Sequence, residues 1–140
     1  MEQLKACYEK YIAEAEDVWK KRSAWDGAFG IGSSSKNHPC HTIFFEELEK
    51  WAENFANSNP APQEAEAAMT YILEAAEPYK KQFPYWALYA AHGMARPLVA
   101  FVSPQYAANT RVWYNKLYPR KDRLPVHQDL FKLLKKRERG

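Results

Sequence analysis

Three residues able to bind metal or to serve as nucleophile and base stand together in His38-Pro39-Cys40-His41. Proline suits the first position of a helix, so Pro39 predicts a helix start. The amphipathic stretch Ile43 to Phe55 follows directly. Two chemistries fit this segment. As metal ligands, His38 with His41, or His38 with Cys40 across an irregular first turn, supply two donors. A structural zinc needs four ligands and a catalytic zinc three plus water. The remainder would come from His92, His127, Cys7 or a carboxylate, since no CxxC pair and no HExxH motif occurs. Adjacent helical residues point about 100° apart, which separates Cys40 from His41. As a nucleophile, Cys40 would gain from the partial positive charge of a helix N-terminus. His41 and His92 are its candidate bases. The catalytic candidates are therefore Cys40, His41 and His92, and the metal candidates His38, Cys40 and His41. Neither set is complete, so the expectation is no cofactor and a lean away from an enzyme.

Three further features invite a chemical reading. The run from Gly27 to Lys36 spaces Gly27 and Gly32 as in a phosphate-binding GxxxxG loop, but Ser33 stands where that motif needs lysine. What survives is a small-anion site at Ser33, Ser34 and Lys36, set against an ordered turn anchored by Phe29 and Ile31. Second, Pro97 cannot donate to the carbonyl of residue 93, and Gly93 eases a bend there. A bend would leave that carbonyl open beside His92, Trp86 and Tyr89, which makes those three candidate ligand-binding residues. The plainer reading is a core histidine at a packing kink. Third, the C-terminal region carries Arg120, Lys121, Arg123, Lys132, Lys135, Lys136, Arg137 and Arg139. These are candidates for anion or partner binding. With Trp113, Tyr114 and Tyr118 interleaved, they also allow nucleic-acid binding. The alternative is a solvated lysine face over an ordinary core face.

The elements that would position these residues read as helical throughout. Apolar residues at Leu4, Tyr8, Tyr11, Ile12, Ala15, Val18 and Trp19 form the stripe of an amphipathic helix running to about Trp25. A second helix starts at Pro39, with Phe44, Leu48, Trp51, Ala52 and Phe55 on its buried side. A third follows the Asn57–Pro62 turn and ends or bends at Pro78. The segment from Pro84 to Val102 is apolar in nearly all directions, the pattern of a buried helix, so it is expected at the centre of the fold. Ser103-Pro104 caps and opens a fifth helix. A basic helix over 125–138 closes the chain. No segment alternates with period two over a convincing length. The expectation is a single all-α domain over 1–140, a bundle of about six helices around a central helix at 84–102.

Composition agrees with one globular domain: 140 residues, 46% hydrophobic, 26% charged. Two cysteines imply no disulfide framework. The N-terminal residues lack the pattern of a signal peptide. The longest apolar stretch, Trp86 to Val102, is broken by His92, Arg96 and Pro97, so no membrane span is expected. Together these point to the cytoplasm. The formal net charge of +3 is unevenly spread. From Arg111 onward, ten Lys and Arg face three Asp and Glu, whereas the preceding residues are mildly acidic. Acidic faces on the first helix (Glu9, Glu16, Asp17) and the second (Glu46, Glu49, Glu53) complement that basic end. The expected function is non-catalytic binding of another protein or of a second copy. A thiol or zinc protein centred on the His-Pro-Cys-His segment is one alternative. Nucleic-acid binding through the basic region is the other.

Overall fold

The computed structural model describes residues 1–29, 38–79 and 83–140. Six α-helices are present among them and no strand: α1 (Glu2–Phe29), α2 (Pro39–Asn57), α3 (Pro62–Ala75), α4 (Trp86–Ala90), α5 (Pro104–Leu117) and α6 (Pro125–Glu138). The fold is compact and all-α, as the hydrophobic patterning predicts. Four helices open on proline: Pro39, Pro62, Pro104 and Pro125. The missing N–H costs nothing at that position. Ser103 caps α5 through its hydroxyl, which accepts from the Tyr106 N–H at 3.1 Å. Among the described residues, no helix is long and apolar enough to cross a membrane.

Helices α1 and α2 join through aromatic rings. Tyr11 stacks on Phe44 with centroids 4.4 Å apart, and Tyr8 meets Phe44 edge-on at 5.1 Å. Such geometries add to the area the rings bury. Leu4, Tyr8, Tyr11 and Ala15 are buried on α1, and Phe44, Leu48 and Ala52 on α2. These belong to the predicted stripes. Helix α1 runs four residues beyond the expected end at Trp25, through Gly27 to Phe29.

The centre of the fold differs from the expectation of one α-helix over 84–102. The chain instead passes through a 3-10 turn (Phe83–Tyr85), the short α4, and a 3-10 helix over Ala91–Phe101. This last element packs against α2, α3 and α6. A 3-10 helix has three residues per turn, so side chains at i and i+3 align. The row His92, Ala95, Leu98 is fully buried, while Arg96, Pro97 and Ala100 reach solvent. Pro97 supplies the reason for the winding. In an α-helix its ring would press on the Gly93 carbonyl. Here that carbonyl accepts a hydrogen bond from Arg96 Nε at 3.0 Å. The carbonyl expected to lie open beside His92 is therefore taken, and the kink is replaced by a change of helix type. Gly93 has a second role. A Cβ there would lie 2.6 Å from Val126 Cβ, so only glycine lets α6 pack this closely.

Candidate functional site

Local structure separates the three residues of the His-Pro-Cys-His segment. His38 is the N-cap of α2, with extended backbone (φ −65°, ψ 138°), and its Nδ1 accepts from the Cys40 N–H at 3.1 Å. His38 is exposed, whereas Cys40 and His41 are buried in the first turn that follows. His41 Nδ1 lies 2.8 Å from the Tyr11 hydroxyl, which donates to the Pro84 carbonyl at 3.1 Å. A hydroxyl has one proton. With that proton on Pro84, His41 carries its own on Nδ1 and donates to the Tyr11 oxygen. The Cys40 sulfur is 3.9 Å from the same nitrogen, a weak contact. Burial pushes the Cys40 thiol up and Glu14 adds to the rise, outweighing the backbone N–H groups that favour the thiolate. A reactive thiol needs the opposite balance. Cys7 is likewise pushed up to about 11, by burial first and then by Glu47. Among the described residues, no three His, Cys, Asp or Glu side chains gather into a group that could hold a metal ion.

The other two histidines meet at a second centre, where the central element packs on α5 and α6. His127 closes the first turn of α6. Its Nδ1 accepts from the Leu124 N–H at 3.0 Å, which leaves Nε2–H to donate to the Tyr89 carbonyl at 3.1 Å. Burial lowers its pKa to about 4, against the Tyr89 hydrogen bond and with a smaller contribution from Arg123. His92 has no exposed surface, and neither ring nitrogen has a hydrogen-bond partner. Burial lowers it to about 3 and His127 lowers it further, opposed by a weaker approach of the Leu73 backbone that falls short of a well-formed hydrogen bond. Its ring is enclosed by Tyr89 and Tyr118, both edge-on at 5.1 Å, and by Tyr114 at 5.6 Å and His127 at 5.8 Å. Trp86 instead faces His41 at 5.4 Å. The named partners of His41 and of His92 have no residue in common. Of the ligand-binding candidates, Tyr89 and His92 thus share a centre and Trp86 belongs to the other. Ser33, Ser34 and Lys36 lie outside the described residues.

The basic candidates divide by environment. Arg123 donates to the Tyr118 carbonyl at 2.7 Å and to Asn115 at 2.9 Å, and its guanidinium lies 4.2 Å from the Phe131 ring centroid. It ties the connector between α5 and α6 onto both helices. Arg137 Nε donates to the Val102 carbonyl at 2.8 Å, holding the end of the 3-10 helix. Arg120, Lys121, Lys132, Lys135, Lys136 and Arg139 are exposed.

Two depressions are formed by residues that no local pattern groups. A groove of about 440 Å³ lies between α2, the 3-10 helix and α6, floored by Ala52, Met94, Pro97 and Leu133 and edged by Glu49 and Glu53. A cleft of about 320 Å³ lies between α3 and α5, bounded by Leu73, Tyr106 and Trp113 with Glu74 among its lining. The sequence pattern groups Leu133 with the apolar face of α6 and Trp113 with the apolar stripe of α5, so neither stands out as lining a surface depression. The chain matches no protein-family model, no curated protein and no solved structure.

Proposed function

We propose that this chain is a non-catalytic interaction module that binds a second copy of itself across the groove between α2, Ala91–Phe101 and α6. One observation carries the reading: the groove joins apolar Ala52, Met94, Pro97 and Leu133 with the acids Glu49 and Glu53 from α2 and the guanidinium of Arg96, and exposed Lys132 and Lys136 lie close to Leu133 in the α6 sequence. Glu49 and Glu53 edge it from α2, and neither takes part in an ion pair among the described residues. On α6, Asp129 is paired with Arg96 at 3.6 Å. The exposed Lys132 and Lys136 on α6 have no paired acid among the described residues. A two-fold axis over Met94 and Pro97 brings the acids of one protomer onto the lysines of the other. A self-complementary patch is what an isologous dimer requires. The buried Cys40 thiol with its raised pKa supports binding over nucleophilic chemistry. Both cysteines are free thiols, which suits a reducing compartment, and we place the module in the cytoplasm.

Sedimentation of the full chain tests this. Wild type associates as its concentration rises. Reversing the acids (Glu49→Lys with Glu53→Lys) or the lysines (Lys132→Glu with Lys136→Glu) weakens association by about tenfold or more. Combining all four reversals in one chain restores it. A wild type that stays monomeric at every concentration, or reversals without effect, overturns the reading. Oligonucleotide binding that falls steeply with salt and needs these lysines would reassign them to nucleic acid.

A further inference from the structure

We infer that the cleft between α3 and α5 is a binding site for a small organic cation, an ammonium group carried on a compact apolar body. The space, about 320 Å³, lies at the small end of ligand sites. Its apolar surface comes from Leu73 at the base and the Trp113 ring at the side. Indole presents the most favourable π face for a cation among the aromatic side chains.

The charged residue in its described lining is acidic. Helix α3 has no Lys or Arg, and its charged residues are Glu64, Glu66 and Glu74. Glu74 lines the cleft and is in no ion pair among the described residues. Glu66 is close by, accepting a hydrogen bond from the Ser103 hydroxyl at 3.3 Å. The guanidinium on the facing helix is held elsewhere: Arg111 donates two hydrogen bonds to the Glu138 carboxylate on α6, the second at 3.1 Å. Among the described residues, no cationic side chain lines the cleft. Burial raises the pKa of the Tyr106 hydroxyl against hydrogen bonds from Thr70 and Thr110, and Glu66 and Glu74 add smaller increments to the rise.

The polar lining is already ordered. Thr70 Oγ1 and the Tyr106 hydroxyl share a hydrogen bond of 2.6 Å. Thr110 also hydrogen-bonds the Tyr106 hydroxyl, and the remaining lone pairs of Thr70 and Tyr106 stay available as acceptors. Asn109 Oδ1 is fixed by an accepted bond from Gln105 Nε2 at 3.1 Å. A carboxylate, hydroxyl lone pairs and an indole face together favour an ammonium head, and the carboxylates repel an anion of the same shape. This site is remote in composition from the groove proposed for self-association, so either can fail without the other.

The test uses the full chain and three probes of one shape: phenethylammonium, its neutral analogue 2-phenylethanol and the anion 3-phenylpropionate. The readout is the Trp113 indole N–H resonance, assigned with Trp113→Phe. Phenethylammonium shifts it saturably, and 2-phenylethanol binds at least about fivefold more weakly. The propionate causes no saturable shift. Glu74→Gln, at an exposed position, removes the preference for the ammonium without changing the affinity for the alcohol. Absence of a saturable shift with phenethylammonium overturns the inference. So does equal binding of the alcohol, or an ammonium preference that persists in Glu74→Gln.

Discussion

The two histidine centres of this protein use the same ring in opposite ways. At the junction of α1 and α2, His41 is bound through Nδ1 to Tyr11, whose hydroxyl also satisfies a backbone carbonyl. His127 is satisfied at both nitrogens and serves as the lock of a helix start. His92, a ring's width from His127, is just as buried and satisfied at neither nitrogen. An unpaired polar group in an apolar enclosure lowers stability, and a charged one far more. What distinguishes His41 and His127 from His92 is therefore the quality of their hydrogen-bond partners. The helix start at Leu124 and the carbonyl of Tyr89 give His127 a donor and an acceptor, while His92 has only a weak approach to the Leu73 backbone and no well-formed hydrogen bond.

The largest expected effect follows from burial of two neutral histidines together. In the folded chain their pKa values are lowered from 6.5 to about 3 and about 4. The unfolded chain takes up protons near 6.5, so between the folded and unfolded values it binds more protons than the folded protein. Stability is then complete above about pH 6.5, falls as pH drops through that value, and stops falling from this source below about pH 3. Each histidine contributes a slope of about 1.4 kcal/mol per pH unit inside its window, so the pair gives about 2 to 3 kcal/mol between pH 6 and pH 5. Urea unfolding across this range measures it, and His92→Leu should remove about half of the slope. A flat profile from neutral pH down to the carboxylate range would mean that the rings are charged inside the fold.

At neutral pH the two positions should part company. His127→Leu strands the Leu124 N–H and the Tyr89 carbonyl and should cost about 2 to 3 kcal/mol. His92→Leu replaces an unsatisfied ring with an apolar side chain of similar volume. It should be neutral or stabilising by about 1 kcal/mol. Denaturant midpoints of the two variants, with unchanged slopes, make the comparison. Equal losses would show that His92 is held by a full hydrogen bond, through the Leu73 backbone or a buried water, and would erase the contrast between the two rings.

The sequence made some of this legible and not the rest, for physical reasons. Helix starts were visible because Pro39, Pro62, Pro104 and Pro125 mark a position where proline is tolerated. The buried stripes of α1 and α2 were visible because burial on one face imposes a 3.6-residue period. The centre was different. Its residues are apolar or small on nearly every side, so no period separates a 3-10 from an α-helix. The deciding contact, Arg96 to the Gly93 carbonyl, comes from a residue that reads simply as a surface charge. The same limit hid the role of His127, whose partners are backbone groups 3 and 38 residues away. Spacing flagged Cys40 and His41 as a chemical pair. Spacing carries no information on depth, and both side chains are buried. The groove and the cleft are assembled from elements distant in the chain, where local patterns have no reach.

The smallest effect concerns the better-satisfied centre. Tyr11→Phe keeps the ring that stacks on Phe44 and removes only the hydroxyl between His41 and Pro84. The Pro84 carbonyl is buried with its residue, so its loss of a donor should cost about 1 to 2 kcal/mol in a denaturant titration. The same variant frees the His41 tautomer from the Tyr11 oxygen, which the ring nitrogen resonances report directly. If stability is unchanged but the tautomer moves, the hydroxyl orients the ring without supporting the fold. The α1–α2 centre would then resemble the one around His92, held by packed rings alone. If stability falls as expected, the contrast stands between the hydrogen-bonded rings of His41 and His127 and the enclosed ring of His92.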